Sequence, residues 1–173
     1  MFDPTVYDNL KVVFEGEMYN LDFAKKISVT NRKDVVDLAN MSRRFAMEFR
    51  IHNASLPYPN CEVLLKTSMA DLASELLEGD EQKAGCEIEI LFLVSIKDVE
   101  KDCFQIESFL NQLWDGRPLI EQTISFTYGV EGLINTVRLR FNRKINEDQI
   151  DDVPTLLVYS MESLHYFQEK FNS

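Results

Sequence analysis

The sequence predicts an α+β fold with a mostly antiparallel sheet of about six to eight strands and three main helices. Residues 44–52 alternate strictly between apolar and polar side chains, as expected for a strand with one buried face. Residues 86–96 become apolar at successive positions, which is typical of a central strand buried on both faces. Later segments repeat apolar residues every three or four positions, as helices that cover a sheet do.

In the predicted order, strands come first. Residues 10–14 and 18–23 flank Gly16 and predict a β-hairpin with glycine in its turn. Residues 27–30 predict a third short strand, and residues 34–41 one or two turns of helix. The strictly alternating strand follows over residues 43–52.

From the next strand onward, at residues 61–67, the predicted order is β-α-β-α-β-β-α. After a strand at 61–67, Ser68 and Asp71 have the spacing of a helix capping box, and Gly79 suits the end of that helix. The remaining segments are listed in chain order: strand 86–96, helix 98–114, strands 119–128 and 136–144, and a last helix from Pro154. No repeat or linker divides the chain, so we expect one globular domain over residues 1–173.

Composition restricts the class of protein. The chain has 173 residues, of which 45% are hydrophobic and 27% charged, as in ordinary globular proteins. Its formal net charge of −11 makes a general nucleic-acid partner or an anionic membrane partner unfavourable. No apolar run is long enough to span a bilayer, and the N-terminus does not resemble a signal peptide. Three widely spaced cysteines without a C-x-x-C motif suit free thiols in a reducing compartment, so we expect a cytoplasmic protein.

Sequence motifs for the common catalytic chemistries are absent. There is no G-x-G-x-x-G, P-loop, G-x-S-x-G or H-E-x-x-H motif, and His52 and His165 are the only histidines. We therefore predict no catalytic residue, no metal site and no cofactor, and lean towards a protein that is not an enzyme. The acidic residues Glu147, Asp148, Asp151 and Asp152 suit a helix N-terminus better than a cation site.

One candidate site is basic. Arg44, Arg50 and His52 project from one predicted strand, and Arg138 and Arg140 from another. If both strands share a sheet, these five groups could converge into a site for an anion or an acidic partner. Alternatively, the arginines pair across strands with glutamates of the same chain.

A second candidate is the last helix, whose apolar face is wide. Tyr159, Tyr166, Phe167 and Phe171 could form the interface of a homodimer. Packing against the core is the alternative.

These observations lead us to expect an acidic, non-catalytic cytosolic protein that binds a protein partner or itself, through the basic sheet face or the C-terminal helix. The alternative is an enzyme or a binder of small anionic ligands with an unfamiliar site around His52 and the strand arginines.

Overall fold

A computed structural model describes residues 5–78 and 85–171 of the chain. In this part, six antiparallel strands form one sheet, accompanied by four α-helices. The predicted α+β class with an antiparallel sheet is confirmed, and the order of strands and helices broadly matches the prediction.

The helices are α1 (Val6–Phe23), α2 (Met69–Ala73), α3 (Val99–Leu113) and α4 (Val153–Phe171). The strands are β1 (Ile27–Asp37), β2 (Ser42–Ile51), β3 (Asn60–Thr67), β4 (Glu87–Ile96), β5 (Pro118–Ser125) and β6 (Leu133–Phe141). A π-helical turn over Ser74–Glu78 continues α2, and a 3-10 helix over Glu147–Asp152 leads into α4. The spatial order of the strands is β1-β2-β3-β4-β6-β5, so β4 is central, as predicted.

The first element differs from the prediction. The hairpin expected around Gly16 is wrong, because residues 6–23 form the single helix α1. The side chains of α1 that become buried, Tyr7, Leu10, Phe14 and Met18, follow helical spacing. Burying each large apolar side chain contributes about 1.5–3 kcal/mol, which outweighs the roughly 1 kcal/mol that an interior glycine costs a helix.

Strand β1 also differs from the prediction. The helical turn expected at 34–41 is wrong, because β1 extends from Ile27 to Asp37 and pairs along its length with β2. Residues 30–37 are exposed, so they carry no apolar pattern from which a strand could be predicted. Backbone pairing with β2 determines their conformation instead.

The predicted helix starts are confirmed. The Ser68 hydroxyl accepts a hydrogen bond from the Asp71 backbone N–H, and the Asp71 carboxylate accepts one from the Ser68 N–H, which completes the capping box. Asp98 caps α3, and α4 begins at Val153, one residue before Pro154. The predicted helix end at Gly79 lies outside the described residues.

The two faces of the sheet have different roles. One face, here the core face, packs with α1, α3 and α4 around buried side chains such as Met47, Ile90 and Phe92. The other, here the open face, carries the alternate side chains of the same strands. Its charged members include Arg44, Glu48, Arg50, Glu62, Lys66, Glu89, Glu121, Arg138 and Arg140.

Among the described residues, none of the helices has the length and apolar character needed to cross a membrane.

Candidate functional site

The predicted basic residues share a face but do not form one cluster. Arg44 and Arg50 lie on β2, and Arg138 and Arg140 on β6, all on the open face. Strands β3 and β4 lie between them, so about 14 Å separates the two pairs at the usual strand spacing. The expected convergence of five basic groups is therefore wrong. His52 follows β2, and its Nδ1 lies 3.2 Å from the Ser28 hydroxyl.

The arginines of β6 pair with glutamates of neighbouring strands. The Arg140 Nη2 is 2.6 Å from a carboxylate oxygen of Glu121, and the Arg138 Nε is 3.9 Å from Glu89. Lys66 also contacts Glu89, at 2.6 Å. Cross-strand pairing, the alternative interpretation, describes this part of the open face.

The two arginines on the open face of β2 are less engaged. The Arg50 Nη1 lies 3.4 Å from the Leu56 carbonyl oxygen, whereas the exposed Arg44 side chain has no hydrogen-bond or ion-pair partner among the described residues.

The aromatic residues of α4 pack within the molecule. Phe167 is fully buried with its ring 5.3 Å from that of Phe92, and Tyr166 stacks on Phe109 at 3.7 Å between centroids. Tyr159 meets Trp114 edge-on at 5.4 Å, and Phe171 contacts the Tyr166 ring at 6.3 Å. Core packing therefore accounts for these side chains.

The other chemically notable residues do not form a site. No group of three or more histidine, cysteine or acidic side chains in the described ranges could hold a metal ion. Burial raises the pKa of the Cys61 thiol and raises that of Cys86 to about 12, which disfavours reactive thiolates at either position.

A cavity that the sequence did not predict lies between the end of α3, the end of β6 and the start of α4. Its volume is about 440 Å³, and we call it the Trp114 cavity. Its apolar and aromatic lining residues are Phe14, Ile88, Trp114, Phe141, Ile145, Val153, Leu156 and Tyr159. Its polar lining residues are Arg117, Asn142, Arg143, Gln149, Asp152 and Thr155.

A wider groove of about 870 Å³ adjoins this cavity, and we call it the arginine groove. Ile88, Arg117, Phe141, Asn142 and Arg143 line both spaces. The groove is further lined by Glu87, Glu89, Gly116, Pro118, Leu119, Arg140 and Lys144. Two of the candidate site residues from the sequence line this region, Arg140 in the groove and Tyr159 in the cavity.

The turn after α3 positions Trp114 and Arg117. Helix α3 ends at Leu113, and Asp115 and Gly116 both have left-handed backbone conformations, with φ of 56° and 62°. The Gly116 N–H donates to the Asn111 carbonyl at 3.0 Å, a helix-ending geometry that glycine favours. Trp114 is buried and donates from Nε1 to the Ser163 hydroxyl at 3.2 Å, while Arg117 is exposed at the mouth of the cavity.

Arg143 is held in place by a bridge beyond the end of β6. Cys86 and Ile145 exchange backbone hydrogen bonds of 2.8 and 2.9 Å, which brings residues 142–144 beside the cavity. Gly85 allows this approach, because a Cβ there would lie only 2.8 Å from the Ile145 carbonyl oxygen. The second guanidinium of the mouth therefore depends on a glycine distant from it in sequence.

The charged groups around the two spaces differ in how far they are already paired. Arg140 pairs with Glu121, and Lys144 with Asp71. The Arg117 side chain has no hydrogen-bond or ion-pair partner in the part of the chain that the structure describes. Arg143 contacts Asp152 at 3.9 Å, with both side chains more than two-thirds exposed, so this pair is weak. Two guanidinium groups are thus available where cavity and groove meet.

Nothing in the local sequence indicates this arrangement. Gly116 and Pro118 predict the end of a helix, but not that Arg117 between them lines the same cavity as Arg143. The lining residues come from α1, β4, the α3–β5 turn and residues 141–159, and only the tertiary fold brings these segments together.

No protein-family model, curated protein or solved structure matches the chain.

Proposed function

We propose that this protein acts by binding and is not an enzyme, and that its ligand is a small organic anion with an apolar body. The Trp114 cavity would hold the body, and Arg117 and Arg143 the anionic group. The observation that carries the proposal is the position of these two guanidinium groups at the junction of an apolar cavity and an open groove.

The cavity has the size and lining of a ligand site. Pockets for small molecules usually measure about 300–1,000 Å³ and combine apolar walls with a few polar groups. The Trp114 cavity, at about 440 Å³, has this composition. Displacing water from its aromatic walls would favour an apolar body.

The guanidinium groups of Arg117 and Arg143 suit an anionic ligand group. A guanidinium group donates several hydrogen bonds in a fixed plane and matches carboxylate, sulfonate or phosphate oxygens. Because the whole chain has a formal net charge of −11, long-range electrostatics would not draw an anion to the protein. The preference for an anionic ligand would depend on its local contacts with Arg117 and Arg143.

The lining groups favour binding over catalysis. They are guanidinium groups, amides, hydroxyls and one carboxylate, Asp152. Among the described residues, no lining side chain forms the hydrogen-bonded nucleophile–base pair that covalent catalysis requires.

A second candidate is a protein partner, or a second copy of the chain, bound through the open face. It is favoured by Arg44, which is exposed and without a partner among the described residues. Co-purification from cell extract with the wild-type chain, and its loss with Arg44→Glu, would support a partner; light scattering would detect self-association.

We also propose a cytoplasmic location, because Cys61, Cys86 and Cys103 are free thiols, which a reducing compartment maintains. Fractionation of cells that express the tagged chain would test it.

Trp114 provides a direct test of the ligand site, since it is the only tryptophan of the chain. We expect 8-anilinonaphthalene-1-sulfonate, an aromatic monoanion, to quench Trp114 emission by energy transfer in a saturable titration. Arg117→Gln should weaken this binding about two- to fivefold, the effect of losing an exposed charge contact.

Arg44→Gln is the matched control, because it removes an equal charge from an exposed arginine that lines neither the cavity nor the groove, and it should leave the affinity unchanged. Equal affinities for wild type and Arg117→Gln, or no saturable binding, would contradict the proposal.

A further inference from the structure

We infer that the ligand of the Trp114 cavity is a phosphate monoester of a flat aromatic body, bound as the dianion. This inference rests on the proposed function, and it specifies the charge and shape of the ligand.

The charge follows from the groups at the junction. Arg117 has no side-chain partner among the described residues, and Arg143 has only the 3.9 Å contact with Asp152. The exposed side chains of Arg143 and Asp152 can separate at little cost, since such pairs are weak. Two guanidinium groups attract a dianion more strongly than a monoanion in the same position.

The position of the junction suits a doubly charged group. Arg117 and Arg143 also line the arginine groove, which is open to solvent. A phosphate there would keep water on its groove side while its ester oxygen points into the cavity. The large cost of burying a dianion is thereby avoided.

The groove limits the ligand to one phosphate. Beyond the junction it is lined by Glu87 and Glu89, and its remaining cations, Arg140 and Lys144, already pair with Glu121 and Asp71. A diphosphate or triphosphate extending along the groove would meet the Glu87 carboxylate, while Glu89 is already paired with Lys66. A single terminal phosphate would not.

The aromatic shape follows from the walls. Trp114 contacts Tyr159 edge-on at 5.4 Å and Phe141 at 5.8 Å with an interplanar angle of 57°. Three aromatic rings in different orientations thus line one cavity. A flat aromatic guest can contact them in the offset or edge-to-face geometries that aromatic rings prefer.

The test uses three ligands that share one ring system, measured by isothermal titration calorimetry: 1-naphthyl phosphate, 1-naphthalenesulfonate and 1-naphthol. At pH 7.5 we expect the phosphate to bind about fivefold more tightly than the sulfonate, the gain from a second exposed charge contact. The neutral naphthol should bind most weakly.

At pH 5.0 the advantage of the phosphate should disappear, because its second ionisation has a pKa near 6. The sulfonate keeps one charge throughout, so its affinity at the two pH values corrects for titration of the protein itself. This comparison needs only the wild-type chain.

Arg143→Gln should reduce the affinity for the phosphate to that for the sulfonate at pH 7.5, and Arg44→Gln should change neither. Equal affinities for phosphate and sulfonate at pH 7.5, or a preference that Arg143→Gln leaves intact, would overturn this inference while the proposed anion site stands. If none of the three compounds binds, the proposed function fails as well.

Discussion

Tyr7 offers a sharp test of the packing of α1. Its side chain is 2% exposed, and its hydroxyl has no hydrogen-bond partner among the described residues. The Arg43 guanidinium lies over the Tyr7 ring at 4.5 Å from the centroid and also binds Asp8 at 2.9 Å. Tyr7→Phe would keep the ring and the cation–π contact and remove only the unsatisfied hydroxyl.

We expect Tyr7→Phe to stabilise the fold. A buried polar group without a partner costs about 1–3 kcal/mol, so removing it should raise the free energy of unfolding by about 1 kcal/mol, at the lower end of that range. For a chain of this length, such a change raises the melting temperature by roughly 2–4 °C. Urea denaturation followed by circular dichroism would measure the free energy, and thermal unfolding the temperature.

Tyr19→Phe is the matched control, since it makes the same chemical change at a 45% exposed tyrosine of the same helix and should have almost no effect. A loss of about 1 kcal/mol or more in Tyr7→Phe would refute the reasoning, because it would show that the hydroxyl forms a stabilising hydrogen bond.

Burial of Tyr7 also predicts that the stability of the fold depends on pH. Burial, reinforced by the negative charge of Asp34, raises the pKa of Tyr7 well above its ordinary value. Above about pH 10 the unfolded tyrosine loses its proton while the folded one keeps it, so stability falls as the pH rises. This part of the alkaline loss should be absent in Tyr7→Phe. An identical slope in both proteins between pH 10 and 11.5 would contradict the assignment.

Three further predictions concern stability. Gly16→Ala should raise the free energy of unfolding by about 0.5–1 kcal/mol, since the added Cβ meets no atom within 4 Å and alanine favours the helix. A lower free energy of unfolding in urea would show that α1 requires glycine at this position. Gly85→Ala should lower the free energy of unfolding by about 1–3 kcal/mol, because the added Cβ would lie 2.8 Å from the Ile145 carbonyl oxygen. The same variant should bind 8-anilinonaphthalene-1-sulfonate more weakly. A variant as stable as the wild type would count against the close approach of Gly85 to Ile145. Burial raises the pKa of Asp71, but hydrogen bonds from Lys144 and Ser68 outweigh it and hold the pKa below its ordinary value, so stability should fall as the pH drops through the acid range. Asp71→Asn should cost about 1 kcal/mol at pH 7 and flatten that acid dependence in urea titrations; an unchanged acid slope would exclude Asp71 as its source.

The elements predicted correctly share one property. β2 and α3 bury side chains at a regular period, so the apolar residues of the sequence already record which face is covered. The sequence of α1 predicts a hairpin because its short apolar runs also fit strands, and because Gly16 lies where a turn would place it. The predicted strand at 27–30 is shorter than β1 because the exposed half of β1 has no apolar period.

Most residues of the candidate site cannot be predicted from the sequence alone. The sequence singles out Arg140 for a basic sheet face and Tyr159 for a dimer interface. Arg140 lies on the open face and also lines the groove, and Tyr159 lines the cavity. Arg117 and Arg143 were not singled out at all. Neither lies in a motif, and 26 positions separate them in the chain.

The sequence by itself determined the local structure that follows from period and capping, including the strictly alternating strand β2 and the capped starts of α2 and α3. Only the tertiary structure decided which strands are neighbours. It placed β3 and β4 between the arginines of β2 and β6, and it put Arg117 and Arg143 into the lining of one cavity. The physical reason is that a local pattern records which face of an element is buried. The element against which that face packs is selected by pairing and packing between segments far apart in the chain.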